Sequence, residues 1–577
     1  MLPDLICIII SVFFCVLVVM IHYYSIGVFY PVLMKEKYSD SCTITSNVSN
    51  VESSLWCNLR GHTKLCSFKN LCYVPKENLF VFSLTNNSVF DGINNIDELK
   101  EIVLSSVMNH NRFSLKLAVI SQDSPILRRN KTVIKHGFIL WRFKWDNIMH
   151  VIHDDLLPLH TTYSKICKGN IDKCVSKYQL AFVDEGEHGS FIELYNMFSR
   201  SEPLLLRKID KDNLICFDDS RVGLSSDSVW FQYGFGIPQG PVINSQLNGK
   251  SLRQFSQYIL EKYAISNPHT YEKKTAVFFS RKINRKILNE VAVMNMIEDT
   301  YKTTFDSFLT IHTLDFATDT IKTILTHVSQ SNIVIGMHGS AMIFSIFLKP
   351  GSVVVELFPF GINPDNVSPL KALCQLPDIG LIYNYWKNKN ETNTITNPHT
   401  TPLLGGIVHL SSSEQYEIMR TTEIPAVECC HNPAYLYRMF QDTVVGEDFI
   451  ITLKTALQEQ KSYSVESFYK NSLSEMQSLW YFPAPVTDIF CKYSADNQTV
   501  NVVWTTPINS KKPQYQIAVV SNIKEFSTTS KKSEITFLYP SLLYKTENTH
   551  IDIWIKSTDQ GKDSLDSYFK CIINNNN

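Results

Sequence analysis

Apolar runs and helical patterns alternate along most of the chain and predict two consecutive α/β lobes. Between about residues 76 and 245, strand-like runs alternate with helical patterns at 146–164 and 190–200. The second block alternates more regularly, through the runs AVFFS (276–280), SFLTIHT (307–313), NIVIG (332–336) and SVVVEL (352–357). Continuous apolar strands separated by helices are typical of a parallel sheet that is covered on both faces. The pattern therefore predicts an α/β fold with two Rossmann-like lobes.

The two ends of the chain break this alternation. Residues 5–21 form an uninterrupted apolar run with an aromatic edge behind it, which predicts a transmembrane helix over residues 5–28. A cleaved signal peptide is the alternative, because the run is short for a membrane span. From residue 483 onward, short alternating strands surround Trp504, and this pattern predicts an all-β fibronectin type III domain.

Together these patterns divide the chain into seven segments. The loop FQYGFGIPQGP, residues 231–241, is rich in glycine and proline and is interpreted as the hinge between the lobes. The amphipathic segments that follow residue 426 are expected to form closing helices that pack back on the first lobe. The predicted segments are a short N-terminal flank (1–4), the transmembrane anchor (5–28), a stem and cysteine-rich entry segment (29–75), the first lobe on the acceptor side (76–245), the second lobe on the nucleotide-sugar side (246–425), the closing helices and a linker (426–482) and the fibronectin type III domain (483–577).

Charge and cysteine content narrow the classes of function. The 54 Lys and Arg residues nearly cancel the 55 Asp and Glu residues, so the chain lacks the strong positive field that sequence-independent nucleic-acid binding needs. Four cysteines cluster after the predicted anchor, and Cys491 and Cys571 are expected to join the ends of the sandwich. Together with six N-glycosylation sequons, at Asn47, Asn86, Asn130, Asn366, Asn390 and Asn497, they indicate an oxidising lumen. A zinc site is the alternative interpretation of the four clustered cysteines. Two free thiols are the alternative for Cys491 and Cys571.

A glycine-containing turn in the second lobe is a candidate anion site. Residues His338, Gly339 and Ser340 join strand NIVIG to a helix predicted to begin near Ala341. In an open parallel sheet, ligands bind outside the carboxyl ends of the strands, where a helix N-terminus offers free N–H groups to an anion. We expect these three residues to hold a nucleotide diphosphate. An ordinary tight turn is the alternative.

Charged residues follow two other strands of the same lobe. Arg281 and Arg285 come after strand AVFFS, where they can stabilise a departing nucleoside diphosphate, although a surface salt bridge is the alternative for Arg285. Glu356 ends strand SVVVEL, where a carboxylate commonly binds ribose hydroxyls. A buried partner of an arginine is the alternative for Glu356.

The first lobe contributes a helix with an unusual polar stripe. Asn147, His150 and Asp154 lie at positions i, i+3 and i+7, with His153 close beside them and Arg142 just upstream. Titratable groups on one stripe of an otherwise apolar helix are costly unless they line a cleft. We therefore expect cleft-lining residues here, with structural hydrogen bonding and a metal site as the alternatives.

These motifs together resemble those of glycosyltransferase family 61. The resemblance covers roughly residues 60 to 570. It is carried by DNIMHVIHDDLLPL, FQYGFGIPQGP, VFFSRKINRKILNE, MHGSAM, PGSVVVELFPFGINPDN and CCHNPAYLYRMFQDT. It implies a GT-B fold, UDP-N-acetylglucosamine as the donor, and inverting β-1,4 transfer to O-linked mannose on a protein such as α-dystroglycan. It also implies a homodimer and a single-pass type II protein of the endoplasmic reticulum membrane with a lumenal catalytic domain.

An inverting transfer needs one general base and positive groups that stabilise the leaving UDP. The base is expected among His153, Asp154 and Asp155, with Asp154 favoured by its place on the stripe. The family resemblance suggests Mn²⁺ as a cofactor, but the sequence contains no strand-bracketed D-x-D cluster that would bind it.

Two other classes of function stay open on the sequence alone. A different member of the family, transferring xylose or acting on EGF modules, would share both lobes. A non-catalytic glycan-binding scaffold is the alternative outside enzymes, and the retained polar stripe with Arg281 and Glu356 argues against it.

Overall fold

The computed structural model describes most of the chain between residues 52 and 573, and all of these residues belong to one compact unit, Val48–Asn577. The described residues are 52–60, 63–93, 98, 102–107, 113–233, 239–242, 245–265, 274–425, 431–463, 486–507, 510, 512–521, 525–539, 549–559, 562–563 and 567–573.

The first sheet is mixed. Its strands are Ser54–Arg60, Thr63–Val74, Leu79–Leu84, Phe90–Asp91, Leu117–Ser121, Lys131–Leu140, Gln179–Phe182, Leu204–Leu205 and Leu214–Val222. Lys131–Leu140 pairs in parallel with Gln179–Phe182 and with Leu214–Val222, which forms the α/β part of the sheet. Thr63–Val74 pairs antiparallel with three neighbours, because the connections to the strands before and after it are too short for a crossover. The strands Ser54–Arg60 and Thr63–Val74 precede residue 76 and so lie inside the segment predicted to be a stem and cysteine-rich entry segment.

The predicted fold class is wrong. The structure has a mixed sheet in the first lobe and so does not contain two Rossmann-like lobes. In addition, no helix in the part of the chain that the structure describes is long and apolar enough to cross a membrane. The predicted span, residues 5–28, lies outside the described residues.

The second sheet is fully parallel. Its strands, in spatial order, are Thr310–Asp315, Thr275–Ser280, Ile333–Met337, Val353–Phe358 and Ile382–Lys387. Alternate side chains of each central strand are buried against opposite layers, so both faces of the sheet are covered. This accounts for the continuous apolar runs in the sequence.

Helices cover the second sheet on two sides. One layer holds Glu290–Phe305 and Phe449–Ser462, which pack against each other and share a core with the central strands. The helix Phe449–Ser462 also contacts Val353–Phe358 and Ile382–Lys387. The prediction that the closing helices pack on the first lobe is therefore wrong for this helix: its apolar face covers the second sheet.

The other layer lies between the two sheets and forms one continuous core. It contains Leu140 and Leu180 from the first sheet together with Val277 and Val334 from the second. The helical elements are Pro125–Arg128, Ile148–His150, Val151–Leu156, Leu157–Ile166, Ile171–Lys177, Ile192–Asn196, Leu206–Lys208, Ser226–Ser228, Gly249–Lys262, Glu290–Phe305, Ile321–Ser329, Ser340–Phe347, Pro364–Val367, Pro369–Cys374, Glu391–Asn393, Pro402–Leu404, Ser412–Arg420, Pro433–Met439 and Phe449–Ser462.

The C-terminal residues form two facing antiparallel sheets around a separate core. One sheet has Thr487–Ser494, Thr499–Thr505 and Glu534–Leu538, and the other has Gln514–Val520, Glu525–Ser530, Thr549–Asp559, Lys562–Asp563 and Ser567–Ile573. Trp504 is buried in this core, where its ring lies 5.0 Å from that of Tyr515. Assignment of these two sheets to the fibronectin type III class stays a prediction.

Disulfides in the described part join cysteines of different strands and, in one case, the end of one helix to the helix that follows it. The pairs are Cys57–Cys66, Cys72–Cys216, Cys167–Cys174 and Cys491–Cys571. The last pair is the one expected from the sequence. Two shorter strand pairs, Phe231–Gln232 with Gly240–Pro241 and Thr394–Ile395 with Asp442–Thr443, complete the fold.

Candidate active site

The second sheet has one topological switch point, between strands Thr275–Ser280 and Ile333–Met337. These strands are neighbours, but the chain continues from them to opposite sides of the sheet order. A crevice forms at the carboxyl ends of two such strands, and open α/β sheets bind ligands there. Arg281 directly follows one of the strands and His338 follows the other. The fold therefore brings together two residues that the sequence had placed 57 positions apart.

Two arginines converge on Gly339 in this crevice. Arg281 donates to the carbonyl of Asn284 at 3.0 Å and to its side-chain oxygen at 2.7 Å. Arg285 donates to the carbonyl oxygen of His338 at 2.7 Å. A Cβ atom on Gly339 would lie 3.0 Å from Nη1 of Arg281 and 3.1 Å from Nη1 of Arg285. A side chain at position 339 would therefore crowd both guanidinium groups.

The arginine pair, Arg281 and Arg285, forms no direct ion pair with a carboxylate of the described residues, although the charge of Asp315 acts on Arg281. In the described part of the chain no ion pair involves either guanidinium, and the buried Nε of Arg285 has no hydrogen-bond partner. Burial and the neighbouring Arg281 lower the pKa of Arg285 to about 9, and burial also lowers the pKa of Arg281. Both groups remain cationic at neutral pH. Two neighbouring cations that make no direct ion pair could together bind a multivalent anion.

His338 is held by a buried carboxylate. Its Nδ1 lies 2.7 Å from Oε1 of Glu356, and its ring stacks on Phe358 at 4.9 Å. The other oxygen of Glu356 accepts hydrogen bonds from Ser368 and Tyr383, both at 2.7 Å. Glu356 is fully buried. All of its hydrogen-bond partners are protein groups, so the role predicted for Glu356 as a ribose ligand is wrong for this geometry. Glu356 instead orients His338.

The turn after His338 continues as a 3-10 helix, Ser340–Phe347, which replaces the α-helix that the sequence predicted there. Ser340 is the first residue of this helix and is partly exposed. The helix packs against the helical turn Ile148–His150 of the first lobe. The anion site of one lobe and the polar helix of the other therefore meet at the same interface.

The polar helix of the first lobe contains a π-helical segment, Val151–Leu156, between two α-helical parts. The side chain of Asn147 accepts a hydrogen bond from the backbone N–H of Met149 and caps the helix, so capping replaces the cleft-lining role predicted for Asn147. π-helical insertions are rare and frequently occur at functional sites. The insertion changes the angular spacing of the side chains that follow, which a regular helical pattern could not predict.

Within this helix, one carboxylate is bound by two imidazoles. Nδ1 of His150 lies 2.8 Å from Oδ2 of Asp154, and Nδ1 of His153 lies 2.5 Å from Oδ1 of the same residue. Asp154 and His153 are fully buried, while His150 keeps 8% of its surface exposed. We call these three residues the histidine–aspartate cluster. The ring of Tyr233 flanks His150 at 4.9 Å.

The partners of His153 fix its protonation pattern. Its Nδ1 donates to Asp154, and its Nε2 accepts the backbone N–H of Phe231 at 3.4 Å. Trp230 covers the ring at 4.2 Å. His153 is therefore a neutral, enclosed residue. His150 likewise donates Nδ1–H to Asp154, which directs Nε2, the nitrogen able to take up a proton, away from the carboxylate.

Asp155 has a different environment from its neighbour. It is buried, and it accepts a 2.6 Å hydrogen bond from the hydroxyl of Tyr195. Among the described residues its Oδ1 has no partner. Burial, together with the nearby Asp154, raises the pKa of Asp155 well above its usual range. Burial therefore favours the neutral form of Asp155, which makes it a poor candidate for the general base.

Arg142 does not line the cleft. It is buried, and its guanidinium makes two hydrogen bonds with Asp184, at 2.9 and 2.7 Å, as well as bonds to the carbonyl oxygens of Glu187 and His188. The cleft-lining role predicted for Arg142 is therefore wrong. It stabilises the loop after strand Gln179–Phe182.

The described residues do not fit the expected Mn²⁺. No group of three or more histidine, cysteine, aspartate or glutamate side chains among them is arranged to hold a metal ion. Both oxygens of Asp154 already accept from imidazole N–H groups, and Glu356 is bound by three protein donors. We therefore derive no step that involves a metal, and Mn²⁺ stays a prediction from the resemblance.

Sequence reasoning missed several residues that complete the site. Ser368 and Tyr383 hold Glu356, and Tyr233 contacts the histidine–aspartate cluster. Tyr233 lies in the motif FQYGFGIPQGP, which was the available signal, but this motif was interpreted only as a hinge. Residues 234–238 of the motif lie outside the described part.

Comparison with a protein-family model gives a match to "Glycosyltransferase 61" over residues 149–355. This range begins inside the polar helix and ends on strand Val353–Phe358, next to Glu356. It therefore contains the histidine–aspartate cluster, the arginine pair and His338.

Curated relatives match most of the chain. Proteins named protein O-linked-mannose β-1,4-N-acetylglucosaminyltransferase 2 are similar to it in several animals. The protein from Xenopus laevis is 33% identical over 468 residues, that from Takifugu rubripes 34% over 479 and that from Homo sapiens 31% over 469. Each alignment covers 79% of this chain and 77% of the relative.

Solved structures match only a small part of the chain. The extracellular domains d3–d4 of rat CD45 cover 16% of it with 12% identity and a TM-score of 0.14. A solution structure of a human FNIII domain also covers 16%, with 12% identity and a TM-score of 0.13. No conclusion about the fold follows at these scores.

Proposed function

The chain belongs to the glycosyltransferase 61 family, and from this premise we propose that it transfers N-acetylglucosamine from UDP-N-acetylglucosamine, with inversion, to O-linked mannose on a protein in β-1,4 linkage. The chain is a glycosyltransferase, as its family is. The names of its relatives supply the donor sugar, the acceptor and the linkage. A dystroglycan-like acceptor stays a prediction.

The observation that carries the proposal is the arginine pair at the switch point of the second sheet. Breaking the bond between the sugar and UDP leaves negative charge on the diphosphate. Arg281 and Arg285 offer two cations and an unused N–H donor beside the start of the 3-10 helix at Ser340. In this proposal the diphosphate lies against Gly339, and His338 is held ready as a further donor by Glu356.

In this proposal a residue of the first lobe removes the proton from the acceptor hydroxyl. His150 is the member of the histidine–aspartate cluster that reaches the surface, and its helical turn packs on the 3-10 helix of the donor side. We assign it the role of general base, with Asp154 orienting the ring and stabilising the imidazolium that forms. This assignment moves the base from the buried Asp154 to its imidazole partner.

The proposed compartment is the lumen of the endoplasmic reticulum. Four disulfides join cysteines of the described part, and disulfides persist in oxidising compartments. Transfer to a protein-linked sugar also places the enzyme where secreted proteins are modified.

The test is a transfer assay with the full chain and a panel of donors and acceptors. We expect radiolabel from UDP-N-acetylglucosamine to appear on an O-mannosylated peptide, and not on the same peptide without mannose. UDP-xylose as the better donor, or a folded EGF module as the better acceptor, would replace this proposal with another activity of the family. Donor binding without transfer to any acceptor would indicate a non-catalytic scaffold.

A further inference from the structure

The loop that carries the arginine pair is held by a segment that lies much later in the chain. The carboxylate of Asp442 accepts the backbone N–H of Lys286, 156 positions away, at 2.8 Å. The carbonyl oxygen of Lys286 accepts the backbone N–H of Thr443 at 2.8 Å, and the backbone N–H of Leu288 donates to the carbonyl oxygen of Thr443 at 2.9 Å. These bonds begin at the residue directly after Arg285.

Further contacts extend this attachment in both directions. The side-chain amide of Asn289 and the backbone of Val445 exchange two hydrogen bonds, both at 2.9 Å. The guanidinium carbon of Arg285 lies 4.9 Å from the ring centre of Phe440. We call residues 440–445 the loop anchor. The loop anchor therefore contacts the side chain of Arg285 as well as the backbone that follows it.

The conformation of Arg285 is unfavourable by itself. Its φ of 54° is left-handed, which large side chains rarely adopt. Burial and the neighbouring Arg281 also lower the pKa of Arg285, so its charged form is disfavoured in the free protein. A hydrogen bond to the next peptide N–H opposes release from this arrangement, because the direction of that N–H depends on the backbone angles of Arg285.

The two carboxylate oxygens of Asp442 make different contacts. Oδ1 accepts the backbone N–H of Lys286, and Oδ2 pairs with the ammonium group of the same residue at 3.2 Å. Asp442 is buried, whereas the side chain of Lys286 is 40% exposed. An asparagine at position 442 would keep an oxygen for the backbone N–H and lose the ion pair. Substitutions can therefore separate the two contacts.

We propose that Asp442 is a positioning residue that holds Arg285 in its anion-binding arrangement through the backbone N–H of Lys286. This inference rests on the proposed function, in which Arg285 binds the diphosphate of the donor. Asp442 lies at the end of the motif CCHNPAYLYRMFQDT and outside the range 149–355 that matches the family model. In this proposal the end of that motif supports the donor site from outside the matched range.

The test measures the Kd of UDP for the full chain by isothermal titration. Asp442→Ala is expected to weaken UDP binding about 10-fold, because Arg285 then occupies its binding arrangement only part of the time. Asp442→Asn is expected to restore wild-type binding, since its side-chain oxygen still accepts the N–H of Lys286. Lys286→Met is expected to keep the wild-type Kd, since it leaves the backbone N–H in place.

Two readouts distinguish positioning from general loss of structure. A fraction of chains that fails to fold lowers the number of binding sites, whereas lost positioning raises the Kd of the folded chains. Asp448→Ala is the matched control. Asp448 accepts the indole N–H of Trp386 at 2.9 Å, so this variant removes a hydrogen bond to the last strand of the sheet rather than to the arginine loop. Its Kd for UDP is expected to equal that of the wild type.

A double-variant cycle tests whether Asp442 acts through Arg285. In the background Arg285→Met, Asp442→Ala is expected to cause little further loss of UDP binding, because the group that it positions is already absent. An equal loss in both backgrounds would overturn the inference and leave the donor site intact.

The remaining outcomes separate the inference from the proposed function. Wild-type binding by Asp442→Ala, or a loss in Asp442→Asn or Lys286→Met as large as in Asp442→Ala, would show that the backbone bond does not position Arg285. A wild-type chain that does not bind UDP would overturn the donor site as well. A wild-type chain that binds UDP but transfers to no acceptor would overturn only the proposed transfer.

Discussion

Asp154 and Asp155 are adjacent in the chain but have opposite electrostatic surroundings. Asp154 accepts N–H donors on both oxygens, which stabilises its ionised form. Asp155 has one hydroxyl donor and a raised pKa, because burial penalises its charge. The sequence indicated both residues as candidates for the base but could not distinguish their roles. Their partners come from different elements, and Tyr195 lies 40 positions from Asp155.

The pair supports a direct prediction. Asp154→Asn is expected to lower kcat by about 100-fold or more, because the amide cannot stabilise the imidazolium of His150. Asp155→Asn is expected to keep turnover close to wild type, because it replaces a neutral acid with a neutral amide. Steady-state transfer rates with saturating donor check both variants, and loss of activity in Asp155→Asn alone would reverse the assignment.

The raised pKa of Asp155 also predicts the direction in which the free energy of unfolding changes with pH. The folded chain retains a proton that the unfolded chain loses above about pH 4. The contribution of Asp155 to the free energy of unfolding is therefore present at low pH and falls as pH rises towards its folded pKa. In Asp155→Asn this decline is expected to disappear, which denaturant titrations across that range measure. A decline as steep as in the wild type would show that another group causes it.

The arginine pair gives a prediction for donor binding. Arg281→Met is expected to weaken UDP binding about 10- to 100-fold, the loss of one charge-assisted hydrogen bond. Because burial disfavours the charged guanidinium in the free protein, the melting temperature without UDP is expected to stay the same or rise. Lys282→Met, next in the chain but exposed and paired with Glu290, is the control. Isothermal titration with UDP distinguishes the two variants.

The positions of single residues were predictable where one rule of the fold decided their place, while their roles stay predictions. Arg281 and His338 both follow strands of a parallel sheet, so the carboxyl-end rule was enough to bring them together. The roles of Glu356 and Arg142 were wrong because their partners are remote in sequence. Tyr383 lies 27 positions from Glu356, and Asp184 lies 42 positions from Arg142.

At the scale of elements, local sequence patterns predicted where the strands lie better than they predicted which strands pair with each other. Three of the four apolar runs of the second lobe coincide closely with strands that are buried on both faces. The fourth strand, Thr310–Asp315, lies at the edge of the sheet, is only partly buried and begins about three residues after the start of its run. The mixed pairing of the first sheet depends on short connections before residue 76, a segment with little apolar patterning. The π-helical segment Val151–Leu156 also has no sequence signature of its own.

A buried histidine in the helix Leu157–Ile166 gives a prediction about the stability of the fold at acid pH. His160 is buried among Phe198, Phe255 and Tyr258, and burial lowers its pKa to about 4. The unfolded chain takes up a proton below about pH 6.5 that the folded chain excludes, so the stability from His160 is lost as pH falls through that range. Between pH 7 and pH 5 this is a loss of about 2 kcal/mol.

His160→Phe is expected to remove this part of the pH dependence. Denaturant unfolding at the two pH values measures it, and the slope is the readout because the substitution also changes packing by a constant amount. His409→Gln, an exposed histidine, is the control. An unchanged slope in His160→Phe would mean that His160 does not control the acid sensitivity.

At the scale of the whole molecule, function depends on the core that the two sheets share. The 3-10 helix after His338 packs on the helical turn that carries His150, so the residues proposed to bind the donor and to activate the acceptor lie on elements that contact each other. The sequence predicted two lobes but not this shared core, since contacts between distant segments leave no periodic pattern. The homodimer and the predicted domain boundaries stay predictions.

A crystal structure of the full chain with UDP tests the central claim most directly. The account predicts diphosphate oxygens within hydrogen-bond distance, about 3 Å, of both arginines and against Gly339, with Nε2 of His150 facing the vacated sugar position. UDP bound elsewhere, or a diphosphate that contacts neither Arg281 nor Arg285, would contradict it.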